Sequence, residues 1–291
     1  MPNRSLTCLI ALCLCLIKPG EAADLEDHKI VRSPDGTLIS SQASGQGNVA
    51  LVFVHGWSCD ARYWDVQARA LASDYQIVQL DLAGHGHSQE RPNYSLTRFA
   101  DDVAAVVKQH ELTAVILIGH SMGGIISGFS AAQLPEHTLG VIAVDALTDI
   151  TYAASPQDSA EMVAPFSSDF AGAMNQFLAD MFLPGDDTGL RKWVTDDMQS
   201  ALPSAAIASL NALMLGYQDG SIRRTFGELS VPVRGIDSDR WPVNVEGNQT
   251  VIDDYAQQSM EHTDHFLMIS AADRFTPILK AQIESIISAT R

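Results

Sequence analysis

Over its first half the chain alternates short apolar runs with longer stretches whose apolar residues recur at helical spacing. Residues 49–54, 76–80, 113–118 and 140–144 are aliphatic or β-branched runs of strand length. A strand needs apolar residues on both faces only where helices cover both sides of a parallel sheet. Helical patterns lie between these runs. Residues 62–72 place Trp64, Ala68 and Leu71 on one side, and residues 96–109 carry apolar side chains at 96, 99, 103, 106 and 107 behind Ser95, a residue suited to N-capping. From Met122 a Gly/Ala-rich apolar stretch continues to Leu134 and stops at Pro135, the pattern of a buried helix. Ahead of all of these, residues 28–32 and 37–42 flank Ser33-Pro34-Asp35-Gly36, a turn signal that predicts a hairpin. Strand and helix in alternation predict an α/β fold with a mostly parallel, doubly wound sheet.

The alternation stops between residues 150 and 227. Helical patterns there, around 166–183, 189–201 and 203–217, are separated by Pro184-Gly185 and Pro203. They predict an all-helical cap, 150–227, inserted after the sixth strand and lying over the carboxyl edge of the sheet. Its many Met and Phe residues, Met162, Phe166, Phe177 and Met181 among them, divide between the cap's own core and a pocket wall. The sheet then resumes with a strand at 231–236, a helix at 245–257, a short strand at 258–262 and a closing helix at 271–288. Pro277 starts or kinks that last helix. The expected core is therefore 23–149 together with 228–291.

Residues 1–22 read differently. Arg4 precedes the uncharged run 6–17, and Gly20 and Ala22 stand at −3 and −1 of a cut before Ala23, the layout of a secretory signal peptide. The run is short for a bilayer span, so cleavage and secretion or periplasmic release are expected, with an uncleaved membrane anchor as the alternative. Cleavage removes Cys8, Cys13 and Cys15 and leaves Cys59 as the sole thiol, which excludes an intramolecular disulfide. It also leaves 16 Lys and Arg against 34 Asp and Glu, a formal charge of −18. So acidic a surface repels nucleic acid and anionic membranes and disfavours a polyanionic substrate. Oligomeric state is not legible in the sequence.

The chemistry concentrates at Gly119-His120-Ser121-Met122-Gly123, a G-x-S-x-G pattern set between a strand and a helix. Such a turn holds its serine in a strained conformation and brings backbone close on either side, where glycine at 119 and 123 avoids a Cβ collision. The serine hydroxyl then stands above the sheet edge, at the positive end of the following helix. A serine hydroxyl is a weak nucleophile at neutral pH and needs a general base. No His/Asp/Cys group has metal-ligand spacing, and the glycines at 119–124 lack the Lys of a phosphate loop, so neither metal nor cofactor is expected.

Five segments together resemble the α/β-hydrolase family: His55-Gly56 after the third strand, Asp81-x-x-Gly84-His85-Gly86-x-Ser88 after the fourth, the elbow 119–124 after the fifth, Ser238-Asp239 after the seventh, and Asp264-His265-Phe266 before the last helix. The resemblance implies a serine-nucleophile branch with a helical lid. In the family's chain order of serine, acid and histidine, it implies Ser121 as nucleophile and His265 as base, with His262 as the local competitor. For the acid it implies Asp239, just past the seventh strand, with Asp145 and Asp237 as alternatives. The family's oxyanion hole maps onto the backbone N–H groups of Trp57 and Met122. Serine rather than aspartate at the elbow excludes dehalogenase and epoxide-hydrolase chemistry.

The expected activity is ester cleavage on a small, apolar substrate through an acyl-enzyme. Acyl transfer, cofactor-free perhydrolysis and carbon–carbon bond hydrolysis use the same triad and remain as alternatives. A non-catalytic ligand receptor on the same fold is the alternative of another class, and a membrane-tethered interaction protein a further one.

Overall fold

The computed structural model describes residues 27–289; the expected signal segment, 1–22, lies outside them. Eight strands form one sheet: β1 (Asp27–Arg32), β2 (Leu38–Gly45), β3 (Ala50–Val54), β4 (Gln76–Leu80), β5 (Val115–His120), β6 (Thr138–Val144), β7 (Val233–Ser238) and β8 (Tyr255–Met260). Their order across the sheet is β1-β2-β4-β3-β5-β6-β7-β8. The β1–β2 hairpin is antiparallel and adds to β4 antiparallel, whereas every pair from β4 to β8 is parallel. β3 and β5 are buried along their whole length, as their unbroken apolar sequences require.

After β3 the chain moves to one side to form β4 and returns to the other to form β5. The sheet thus reverses its winding between β3 and β5, and a crevice opens at such a point beyond the carboxyl ends of the strands. The loop after β3 and the turn after β5 flank it.

Helices cover both faces. A 3-10 turn at Ala61–Trp64 leads into α1 (Asp65–Leu71), and α2 (Leu96–Gln109) is capped by Ser95, whose hydroxyl accepts the Arg98 N–H. α3 (Met122–Gln133) follows β5 directly and is buried through nearly its whole length. The stretch between β6 and β7 is helical: α4 (Pro156–Ser168), α5 (Phe170–Ala179), α6 (Thr188–Gln199), α7 (Pro203–Gln218) and α8 (Ser221–Gly227). After β7 come α9 (Val245–Gln249), α10 (Leu267–Ser270) and the closing α11 (Ala272–Ala289).

Several boundaries differ from the sequence expectation. α4 begins ten residues before the first helix expected in the insertion; a capping box between Ser155 and Asp158, with Pro156 in the first turn, starts it, and Pro165 sits inside it. α8 was not expected at all. β7 starts after Pro232, which has no N–H for the ladder, and runs on to Ser238. The segment expected as one helix over 245–257 is a five-residue helix followed by β8, because β8 pairs with β7 from Val233↔Tyr255 onward. α11 continues through Pro277.

The turn at Ser121 is packed to the limit. A Cβ on Gly119 would lie 2.1 Å from the Gly123 carbonyl oxygen, and a Cβ on Gly123 would lie 2.4 Å from the Val54 carbonyl oxygen. Both obstacles are backbone, which cannot swing aside. Gly119→Ala and Gly123→Ala are therefore each expected to destabilise the fold by about 2–4 kcal/mol, the upper range for single substitutions. Urea unfolding followed by circular dichroism measures this, and a loss under ~1 kcal/mol at both positions contradicts the packing argument.

Candidate active site

Ser121 links β5 to α3 with φ +52 and ψ −122, a conformation that L side chains avoid. Its N–H donates to the Val144 carbonyl at 2.9 Å, and its own carbonyl accepts the Gly124 N–H at 2.9 Å, so the turn is held from both sides. Ser58 (φ +57), Asp145 (φ +47) and His262 (φ +55) share the left-handed conformation, each in a loop at a strand's carboxyl end. Trp57, after β3, and Met122, the first residue of α3, face the same crevice from adjacent strand ends. Among the described residues neither of their amide N–H groups donates to a protein acceptor, which leaves both donors for a ligand.

His265 lies between β8 and α10. Its Nδ1 is 2.6 Å from Asp145 Oδ2, and its ring sits 4.5 Å, centroid to centroid, from His120, the residue before Ser121. Since Nδ1–H donates to the carboxylate, Nε2 is left as a proton acceptor. Asp145 is fixed in turn by Ser238, whose N–H donates to Oδ1 at 2.8 Å and whose hydroxyl donates to it at 3.0 Å. The His265 backbone is clamped as well: its N–H donates to Met181 O at 3.0 Å, and its carbonyl accepts from His120 Nε2 at 2.8 Å.

The neighbouring histidines are neutral. His55 donates Nδ1–H to Gly56 O at 2.8 Å and accepts the Leu82 N–H on Nε2 at 2.9 Å, and burial lowers its pKa. Burial also drives His85 down to about 3 and, with the adjacent His265 adding to it, holds His120 well below the usual imidazole range. Their placement braces loops: His55 ties the β3 loop to the β4 loop, and His120 ties the elbow to His265.

The structure brings Asp145, not Asp239, against His265. Asp239 is exposed, and its carboxylate accepts the His262 N–H at 2.9 Å and the Thr263 N–H at 3.2 Å, bracing the loop that leads to His265. The physical cause is the length of β7. The neighbouring β6 ends at Val144, opposite Ile236, but β7 stays extended two residues further to Ser238, so Asp239 lies beyond the tip of β6, which Asp145 follows. Asp237, the other alternative, lies inside β7 with its side chain buried at 1% exposure. His262 is exposed and donates its backbone N–H to Asp239. Two contributors were not foreseen, Ser238 on Asp145 and His120 on His265. The polar Ser238 at the tip of an apolar strand was the available signal for the first; the second depends on a contact 145 residues away in sequence.

Helices of the insertion close over these loops. Trp57 Nε1–H donates to Ala206 O of α7 at 2.7 Å, Tyr63 packs on Trp193 of α6 at 4.8 Å, and Arg62 pairs with Asp197. Arg240 Nε donates to Asp180 O at 2.8 Å.

A family model described as alpha/beta hydrolase fold matches residues 49–188. A pimeloyl-[acyl-carrier protein] methyl ester esterase of Pectobacterium carotovorum is 30% identical over 208 residues, 66% of this chain and 75% of that one. A Haemophilus influenzae protein described as a putative esterase/lipase is 43% identical over 97 residues, and the match spans only 33% of either chain. Among solved structures, an esterase from Exiguobacterium antarcticum superposes with a TM-score of 0.79 at 20% identity, covering 89% of this chain and all of that one. The chain belongs to the α/β-hydrolase family.

A second carboxyl stands behind Asp145. Burial, and then the charge of Asp145, push Asp237 up to about 7, with Gln257 and the Ala146 amide offsetting part of the rise. Its Oδ2 is buried without a hydrogen-bond partner. A carboxyl raised in this way keeps its proton in the folded chain after the unfolded chain has lost it. Stability therefore falls as pH rises from about 3.9, the unfolded value, to about 7. Asp237→Asn removes the titration, so the variant is expected to gain on wild type by about 2–4 kcal/mol between pH 5 and pH 8. Urea midpoints at the two pH values check this; an equal stability difference at both refutes the assignment.

Proposed function

We propose that the protein is a secreted serine hydrolase that cleaves small carboxylic esters through an acyl-enzyme on Ser121. The observation that carries the reading is the 2.6 Å contact of His265 Nδ1 with Asp145, with the His265 ring 4.5 Å from that of His120, the residue before a serine held at φ +52. The esterase relatives support the ester as the bond cleaved. In this reading Ser121 Oγ attacks the ester carbonyl carbon while His265 Nε2 takes the hydroxyl proton. Asp145 stabilises the imidazolium that forms. The tetrahedral oxyanion receives hydrogen bonds from the Trp57 and Met122 amides, donors already in place before charge develops. Collapse breaks the carbon–oxygen bond to the alcohol, which leaves with the proton from His265. Water then attacks the acyl-enzyme, again giving its proton to His265, and the acid and free Ser121 are restored. The signal-like residues 1–22 support export, and the mature chain is expected to begin at Ala23.

With 4-nitrophenyl acetate and butyrate, Ser121→Ala is expected to lose at least ~10³-fold in kcat. Asp145→Asn is expected to lose ~10³–10⁴-fold, because an amide there favours the wrong histidine tautomer. Asp239→Asn, which only loosens the loop before His265, is expected to lose under ~10-fold. Full activity in Ser121→Ala, or a larger loss from Asp239→Asn than from Asp145→Asn, overturns the mechanism. Export is tested by intact mass of the chain released from expressing cells, where an uncleaved residue 1 contradicts it.

A further inference from the structure

In this reading the oxyanion has two amide donors, and the fold holds them in different ways. Met122 opens α3, so its N–H is fixed by the helix and by the backbone contacts of the elbow. Trp57 lies in the loop after β3, between Gly56 and the left-handed Ser58 (φ +57). Among the described residues the only hydrogen bond to its main chain comes from the Cys59 thiol, which donates to the Trp57 carbonyl at 3.4 Å. One main-chain bond spans the turn, from the Cys59 N–H to Gly56 O at 3.3 Å. A strained loop needs more than this to stay in one place.

The Trp57 side chain supplies what the main chain lacks. Its indole, 5% exposed, donates Nε1–H to Ala206 O near the start of α7 at 2.7 Å. Phe166 of α4 meets the ring edge-on at 4.8 Å and Phe177 of α5 at 5.3 Å, so three helices of the insertion hold one side chain. The anchor is itself seated on the core. A Cβ on Gly84, in the loop after β4, would lie 2.6 Å from Ala205 Cβ, and a Cβ on Gly216 would lie 2.6 Å from Leu96 Cδ1 of α2, so α7 rests on the core near both ends. Turning the indole away would leave a buried N–H without an acceptor and undo two ring contacts at once. The amide nitrogen and the side chain share the Trp57 Cα, so what fixes the ring limits where the N–H points.

We propose that the Trp57 indole is a positioning group for the oxyanion site: α4, α5 and α7 hold the ring, and the ring sets the Trp57 amide toward the developing charge. The proposal rests on the acyl-enzyme reading with Ser121 as nucleophile, and the test separates the two. Trp57→Phe keeps the amide and an aromatic ring but removes the tether, and the Ala206 carbonyl keeps the Ser209 hydroxyl at 3.0 Å, so no acceptor is orphaned. With 4-nitrophenyl butyrate the variant is expected to lose about 10–100-fold in kcat, less than the ~10²–10³-fold that follows outright loss of a donor, with KM within about twofold of wild type. Two inhibitors tell a misplaced donor from general damage. Ser121 Oγ adds to the carbonyl carbon of trifluoromethyl hexyl ketone, its proton passes to His265, and the carbonyl oxygen becomes an oxyanion; methyl hexyl ketone binds without that adduct. Trp57→Phe is expected to weaken the trifluoromethyl ketone by the same factor as kcat and the methyl ketone by under about twofold. Phe177→Leu, which removes one ring contact and keeps the indole, is expected to show the same selective pattern at roughly 3–10-fold, and it reads the proposal even where Trp57→Phe fails to fold. Equal weakening of the two ketones, or a kcat within about twofold of wild type, in Phe177→Leu or in folded Trp57→Phe overturns the positioning role while Ser121→Ala stays inactive. Activity retained in Ser121→Ala overturns the reading beneath it.

Discussion

The rest of the molecule is arranged around one steric fact: the Gly119 and Gly123 backbones touch across Ser121. That contact sets the serine at φ +52, starts α3 without an intervening loop, and places the turn at the crevice where the sheet changes its direction of winding. A strained residue survives only where its surroundings over-determine it. Here they do, since β3 and β5 are buried along their whole length and the Ser121 amide is anchored to β6. Ser58, Asp145 and His262 repeat the pattern, so four of the five left-handed non-glycine residues among the described residues lie just past the carboxyl ends of strands; the fifth, Glu111, follows α2.

The helical insertion is coupled to that edge by more than coverage. Met181 accepts the amide of His265 itself, and Asp180 accepts from Arg240, two residues past β7. Asp264, next to His265 and 1% exposed, is pushed up by burial and by Asp186 of the same α5–α6 connection. Any movement that lifted residues 180–187 would break a hydrogen bond on the His265 main chain and alter the setting of the neighbouring carboxyl. Opening the insertion and holding the imidazole in place are therefore linked events.

Most of the fold was legible because it follows from local pattern. Unbroken aliphatic runs marked the buried strands, helical spacing marked α2, and a G-x-S-x-G placed between strand and helix marked the elbow. Where the pattern was interrupted, legibility failed for identifiable reasons. Pro165 hid α4, because a proline nine residues into a helix looks like a boundary. The acid facing His265 was misplaced because the end of β7 was read two residues early, and at a strand tip two residues decide whether a carboxylate meets the histidine or turns to the adjacent loop. Asp145 carried the compensating signal: it follows a strand that pairs directly with β5, whereas β7 is one strand further out. The bracing roles of His120 and Ser238 depend on contacts between distant segments, which spacing within a segment does not encode.

The histidines show how burial divides labour among identical side chains. Four imidazoles surround the crevice. His55 and His120 have backbone partners that satisfy one proton each, His85 has a backbone acceptor on Nδ1 only, and all three lose their positive form to desolvation. His265 alone of the four faces a carboxylate, and that carboxylate is itself held by Ser238. Burial therefore disfavours a positive charge on three of the rings, and the fourth is the one with an anionic hydrogen-bond partner.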